Sequence, residues 1–146
     1  MVQPILVGWR EWVALPQFGI RAIRAKVDTG ARSSALHVDW VEDSQRDGIT
    51  WLRFGLRPRR TSPEVVCEVP ALGRRNVTDS GGQITERWFV ATTIRLAAEE
   101  FSAEINLTSR RTMLFPLLLG RTALQQRFQV DPARSFLCGR LRSIQA

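Results

Sequence analysis

The chain has 146 residues, 44% of them hydrophobic and 24% charged, and a net charge of +7. That balance predicts one globular domain, 1–146, large enough to bury its own core. No apolar run reaches the ~20 residues a membrane helix needs. Pro4, Gly8, Trp9, Arg10 and Glu11 break up the start of the chain, so it does not read as a secretion signal.

In chain order the pattern predicts strands at 5–15, 20–27, 34–41, 49–56, 65–69, 85–96, 101–107 and 113–119. These are short apolar or alternating stretches bounded by Gly, Pro, Asp and Ser, the signature of a small all-β barrel or sandwich. One short helix is predicted at 121–127, directly after Gly120. Segments 57–62 and 78–83 read as loops, and no internal repeat or low-complexity block interrupts the chain. Two cysteines, Cys67 and Cys138, make no disulfide framework and read as reduced thiols of a cytoplasmic protein. The same compartment demotes Asn76-Val77-Thr78 and Asn106-Leu107-Thr108 as glycosylation sites.

Asp28-Thr29-Gly30 closes the alternating segment 20–27. A carboxylate at a strand end is followed by a hydroxyl that can hold a turn and by a glycine that lets backbone approach closely. Asp and Gly also make ordinary turns, so the tripeptide alone leaves both readings open. A second segment, Leu117-Leu118-Leu119-Gly120-Arg121, runs apolar into a glycine and then into the predicted helix. This order of Asp-Thr-Gly-Ala, a hairpin region, and apolar-apolar-Gly-Arg resembles the retropepsin fold of single-domain aspartic peptidases.

A closer resemblance spans nearly the whole chain. It rests on Gly8-Trp9-Arg10-Glu11-Trp12, on Ala25-Lys26-Val27-Asp28-Thr29-Gly30-Ala31-Arg32-Ser33-Ser34-Ala35-Leu36-His37, on Phe115-Pro116-Leu117-Leu118-Leu119-Gly120-Arg121, and on Phe128-Gln129-Val130-Asp131-Pro132. These are similar to the bacterial retropepsin-like family catalogued under an ATP-dependent zinc protease label, whose members occur beside ATP-grasp ligases that add glutamate to proteins. The resemblance implies an all-β, retropepsin-like closed β-barrel with one short C-terminal helix. It implies an aspartic endopeptidase that hydrolyses peptide bonds in acidic or poly-glutamate peptides. Asp28 would be the catalytic acid and base, with Thr29 and Gly30 shaping its loop. Ala31, Leu119, Gly120 and Arg121 would support that loop, Arg121 through a salt bridge. A flap is expected within 57–86, hinged near Gly81-Gly82.

One Asp-Thr-Gly per chain means that a pair of carboxylates requires a homodimer. Arg32, His37, Arg87, Arg110 and Arg111 are candidates for holding substrate carboxylates. Glu86 and Glu104 are candidates for ion pairs that support the site. For each of these the alternative is a solvated or structural side chain. His37 is the one histidine, and no zinc-ligating spacing accompanies it, so no metal is expected. No phosphate-binding glycine string is present, so no nucleotide cofactor is expected, and an ATP link would come from a partner ligase. Nearly every cation is arginine, Lys26 being the exception, and the net charge favours acidic partners. Without a nucleic-acid motif or any tyrosine, acidic peptide is preferred to nucleic acid. A non-catalytic acidic-peptide-binding module on the same fold stays open as the alternative.

Overall fold

The structure is a computed structural model and describes residues 3–109 and 114–139. It is all-β with one short helix. The strands are β1 (Ile5–Gly8), β2 (Arg10–Leu15), β3 (Ile20–Val27), β4 (Ser34–His37), β5 (Trp40–Arg46), β6 (Ile49–Leu56), β7 (Val65–Pro70), β8 (Gly73–Thr78), β9 (Ile84–Leu96), β10 (Glu99–Thr108), β11 (Leu117–Leu119) and β12 (Phe128–Asp131), with α1 (Arg121–Leu124) between the last two.

The largest sheet has the order β10-β4-β11-β3-β2-β9-β8, and β9 also pairs with β10. The pairings therefore return to their start through six strands. The β2–β9 seam is a single register pair, Ala14 opposite Arg95. Alternation along β3 buries Ile20, Ile23, Ala25 and Val27 and exposes Arg21, Arg24 and Lys26. β11 lies between β3 and β4, parallel to one and antiparallel to the other, and its Leu117 and Leu119 are fully buried. A strand flanked on both sides reads as a continuous apolar run.

The predicted strand 5–15 is two strands. Trp9 leaves the ladder between them, its N–H donating to the Arg134 carbonyl at 2.9 Å and its carbonyl accepting from Val27 N–H at 2.7 Å. β1 then pairs in parallel with β12. The fully buried Glu11 carboxylate accepts N–H groups from Gly8 (2.6 Å), Leu137 (3.0 Å) and Cys138 (3.2 Å). These charge-assisted bonds tie the beginning of the chain to segment 134–138.

The predicted strand 34–41 also divides, because Val38 N–H turns to Thr108 and Asp39 N–H to Gly55. Beyond it β5, β6 and β7 form a separate three-stranded sheet. Asp47 and Gly48 both take positive φ, 53° and 79°, the two-residue hairpin turn that an Asp-Gly pair favours. Within segment 57–86, β7 falls on the predicted strand 65–69, whereas β8 was not among the predicted strands. α1 ends earlier than predicted, since Gln125 is extended and Gln126 takes a left-handed φ of 71°.

Candidate active site

Asp28 follows the last residue of β3, and backbone pairing fixes where it sits. Its N–H donates to the Leu119 carbonyl at 2.9 Å, so the ends of β3 and β11 hold it from behind. The half-buried side chain accepts the Gly30 N–H on Oδ1 at 2.9 Å, which orients the carboxylate. Thr29 and Gly30 are exposed. Among the described residues no cation lies within ion-pair distance of this carboxylate.

The opposite wall of the loop is built from β11 and α1. Arg121 N–H donates to the Ala31 carbonyl at 2.8 Å and Thr122 N–H to the Arg32 carbonyl at 3.1 Å. Gly120 N–H donates to the buried Ser34 hydroxyl at 3.0 Å. A Cβ on Gly120 would stand 2.5 Å from the Ser33 carbonyl oxygen, so only glycine allows this approach of the two backbones. The salt bridge expected of Arg121 is absent among the described residues; its Nη1 instead donates to the Thr29 carbonyl at 3.1 Å.

The other expected site residues occupy different places in the fold. Arg32 is exposed on the loop itself. Arg87 lies on β9 and donates from Nη1 to the Asn106 Oδ1 at 3.0 Å and from Nε to the Thr85 hydroxyl at 3.0 Å. His37 closes the far end of β4, with Nε2 3.1 Å from Asp39 Oδ1. Glu86 and Glu104 pair with β8 arginines, Glu86 with Arg74 at 3.1 Å and Glu104 with Arg75 at 2.7 Å, on half-exposed side chains. Arg110 and Arg111 lie outside the described residues.

Two residues of the site escaped the sequence reading. Ser34 and Asn106 are buried polar groups at 0% and 1% exposure. Asn106 Nδ2 donates to the Ser34 carbonyl at 2.9 Å and stands 3.5 Å from the Ser33 hydroxyl. The available signal was a lone amide between the apolar Ile105 and Leu107, which the Asn-Leu-Thr pattern disguised as a glycosylation site; burial closes Asn106 to that modification.

Among the described residues no three of His, Cys, Asp and Glu gather as metal ligands. No helix among them is long and apolar enough to cross a membrane.

The Asp28 loop presents an oriented, half-buried carboxylate. A family model described as the retropepsin-like aspartic endopeptidase RimB matches residues 6–140. A probable alpha-L-glutamate ligase of Shewanella halifaxensis is 36% identical over 142 residues, covering 96% of this chain and 31% of that protein. A probable alpha-L-glutamate ligase of Parasynechococcus marenigrum is 37% identical over 147 residues, covering 99% of this chain and 32% of that protein. The chain therefore spans about a third of the length of the curated relatives it matches. The crystal structure of a protein of unknown function from Legionella pneumophila superposes with a TM-score of 0.78 at 31% identity, over 93% of this chain and 99% of that one.

Proposed function

The chain belongs to the RimB-like family of retropepsin-like aspartic endopeptidases, and from that premise we propose that it hydrolyses peptide bonds in acidic, poly-glutamate-type peptides through Asp28 of two protomers. The observation that carries this reading is the Asp28 carboxylate itself. It is oriented by Gly30 N–H, held by the ends of β3 and β11, and has no cation within ion-pair distance among the described residues. A second carboxylate brought to about 3 Å shares one proton with the first, because both cannot stay ionised at that distance.

The ionised Asp28 takes a proton from water as the water oxygen bonds to the scissile carbonyl carbon. The protonated Asp28 gives its proton to the carbonyl oxygen. When the tetrahedral gem-diol collapses, one of its hydroxyls gives its proton to the now ionised Asp28 as the C–N bond breaks, and the other Asp28 gives its proton to the leaving amine nitrogen, so the dyad again holds one proton. Thr29 and Gly30 hold the loop, while Ala31, Leu119, Gly120 and Arg121 hold it in register.

The substrate class is supported by charge and by company. The net charge of +7 attracts acidic chains, and Arg32 stands exposed beside the catalytic loop, suited to a bidentate carboxylate contact. Relatives named as probable alpha-L-glutamate ligases carry a region like this chain within one polypeptide. In this reading a glutamate ligase of the ATP-grasp type builds the tail that this chain shortens.

The test is mass spectrometry of a peptide bearing a poly-α-glutamate tail, incubated in chelator with wild type or Asp28→Ala. Shortening by wild type alone is the expected result; equal shortening by both removes Asp28 from the mechanism. A binding module is the second reading, favoured by the one Asp-Thr-Gly that each chain carries. It predicts a complex with the acidic peptide, no shortening, and a monomer at the assay concentration.

A further inference from the structure

Arg87 is bonded into the fold on the side of β10. Its guanidinium, Asn106, and Ser33 with Ser34 form a continuous hydrogen-bonded line from β9 through β10 to β4, and the Ser34 hydroxyl extends it to Gly120. We propose that this line is a relay that couples the β8–β9 hairpin to the catalytic loop, with Asn106 and Arg87 as positioning residues. The proposal rests on the reading of Asp28 as the catalyst, and it moves Arg87 from substrate contact to loop control.

The chemistry gives the relay a direction. A guanidinium only donates, so the Asn106 amide must turn Oδ1 toward Arg87. Nδ2 then faces the Ser34 carbonyl, which only accepts. Neither half can flip without setting donor against donor and acceptor against acceptor. Asn106 is 1% exposed and Ser34 0%, so water does not replace a lost partner cheaply.

The hairpin end of the relay is equally fastened. Arg87 Nε binds the Thr85 hydroxyl on its own strand, and Arg87 is in register with Arg75 of β8. The hairpin tip at 79–83 begins only a few residues farther along. A displacement of this arm that withdraws Arg87 strands Asn106 Oδ1 in the interior. The arm and the loop therefore move together or not at all. At the catalytic end the Ser34 hydroxyl takes Gly120 N–H, at the point where Gly120 packs on the Ser33 carbonyl. A ligand that settles the hairpin thereby settles the Asp28 loop.

The experiment uses the full chain and two readouts: hydrogen exchange of segments 28–35 and 118–122, and kcat and KM on a poly-α-glutamate peptide. Arg87→Ala removes the bonds to the Asn106 amide and the Thr85 hydroxyl. Loss of the relay predicts about tenfold faster exchange in segment 28–35. It also predicts a kcat about tenfold lower with KM within about twofold, the result of a misplaced rather than an unbound substrate. Asn106→Asp keeps the acceptor for Arg87 and deletes the donor to Ser34, and should reproduce both effects. Combined with Arg87→Ala it should add little, since both variants cut one line. Arg87→Lys, which keeps a donor near Asn106, should recover part of kcat.

An Arg87→Ala variant with raised KM, unchanged kcat and native exchange makes Arg87 a substrate contact and overturns the relay. Strict additivity of the two variants overturns it as well. Ser33→Ala is the mild probe should Asn106→Asp fold poorly, and native exchange in both Ser33→Ala and Arg87→Ala ends the proposal. Full activity of Asp28→Asn would remove the catalytic reading alone, since the exchange measurements judge the relay without turnover.

Discussion

Asp28-Thr29-Gly30 and Asp79-Ser80-Gly81 form the same local turn. In each, the Asp Oδ1 accepts the N–H of the glycine two residues on, at 2.9 Å. At Asp79 the same oxygen also takes Gln83 N–H at 2.9 Å, and the turn simply caps the β8–β9 hairpin. At Asp28 the turn is backed by Leu119, Gly120, Arg121 and Ser34. The tripeptide thus makes a turn wherever it occurs. A candidate site arises only where two strand ends and a helix start are packed behind it.

The comparison is broken most directly at the carboxylates. Asp28→Asn keeps an acceptor for Gly30 N–H but cannot exchange a proton, and should lower hydrolysis of a glutamate-tailed peptide by about 10²–10⁴-fold. Asp79→Asn should change it less than about threefold, since that turn has only a hairpin to close. Comparable losses in a progress-curve assay would mean that the hairpin tip joins the chemistry.

The glycines give the next largest contrast. Alanine at Gly120 puts a Cβ 2.5 Å from the Ser33 carbonyl oxygen and 2.9 Å from the Arg32 carbonyl carbon. Backbone must move, at a cost of about 2–3 kcal/mol and a Tm lower by about 5–10 °C. Alanine at Gly81 meets only the Asp79 carboxylate, at 3.4 Å, and should cost within about 0.5 kcal/mol. Differential scanning calorimetry on the pair checks both, and equal Tm values would contradict the packing described for Gly120. Arg121→Met should come third. It removes the bond to the Thr29 carbonyl, worth about 1 kcal/mol, and should reduce kcat severalfold with little change in Tm.

Much of the supported turn was legible in the residues. β3 and β6 occupy their predicted spans, and the helix starts after Gly120 as expected, because alternation and a glycine are local signals. β5 and β8 were not legible. Trp40–Arg46 is half-exposed at Trp40 and exposed throughout the rest, so no apolar face betrays a strand. The Asp47-Gly48 turn was the cue that could have paired it with β6. In β8 the guanidiniums of Arg74 and Arg75 lie 5.0 and 4.7 Å from the Trp88 and Phe89 ring centres. Cation–π cover there does what an apolar alternation would have announced. The Arg87–Asn106 bond joins residues 19 apart in the chain through strand register, and nothing local encodes it.

The smallest effect tests whether the difference between the turns is local. Cys67 lies on β7, its Sγ 3.8 Å from the Phe18 carbonyl, and burial pushes its thiol up to about 11 from an ordinary 9.0. A folded pKa above the unfolded one means that the fold favours the protonated thiol. Its contribution is complete below pH 9 and is lost as pH rises toward 11. The urea midpoint should therefore fall slightly from pH 9 to 11 in wild type, and less in Cys67→Ala. In a Cys138→Ser background, alkylation of Cys67 at pH 8 then reports opening of the fold, since the thiolate is scarce while the fold is closed. Gly81→Ala should label at the wild-type rate. Gly120→Ala should label faster only by the factor its measured stability loss predicts. Labelling beyond that factor would show that the packing behind Asp28 holds the core as well as the loop, and the two turns would then differ in global rather than local support.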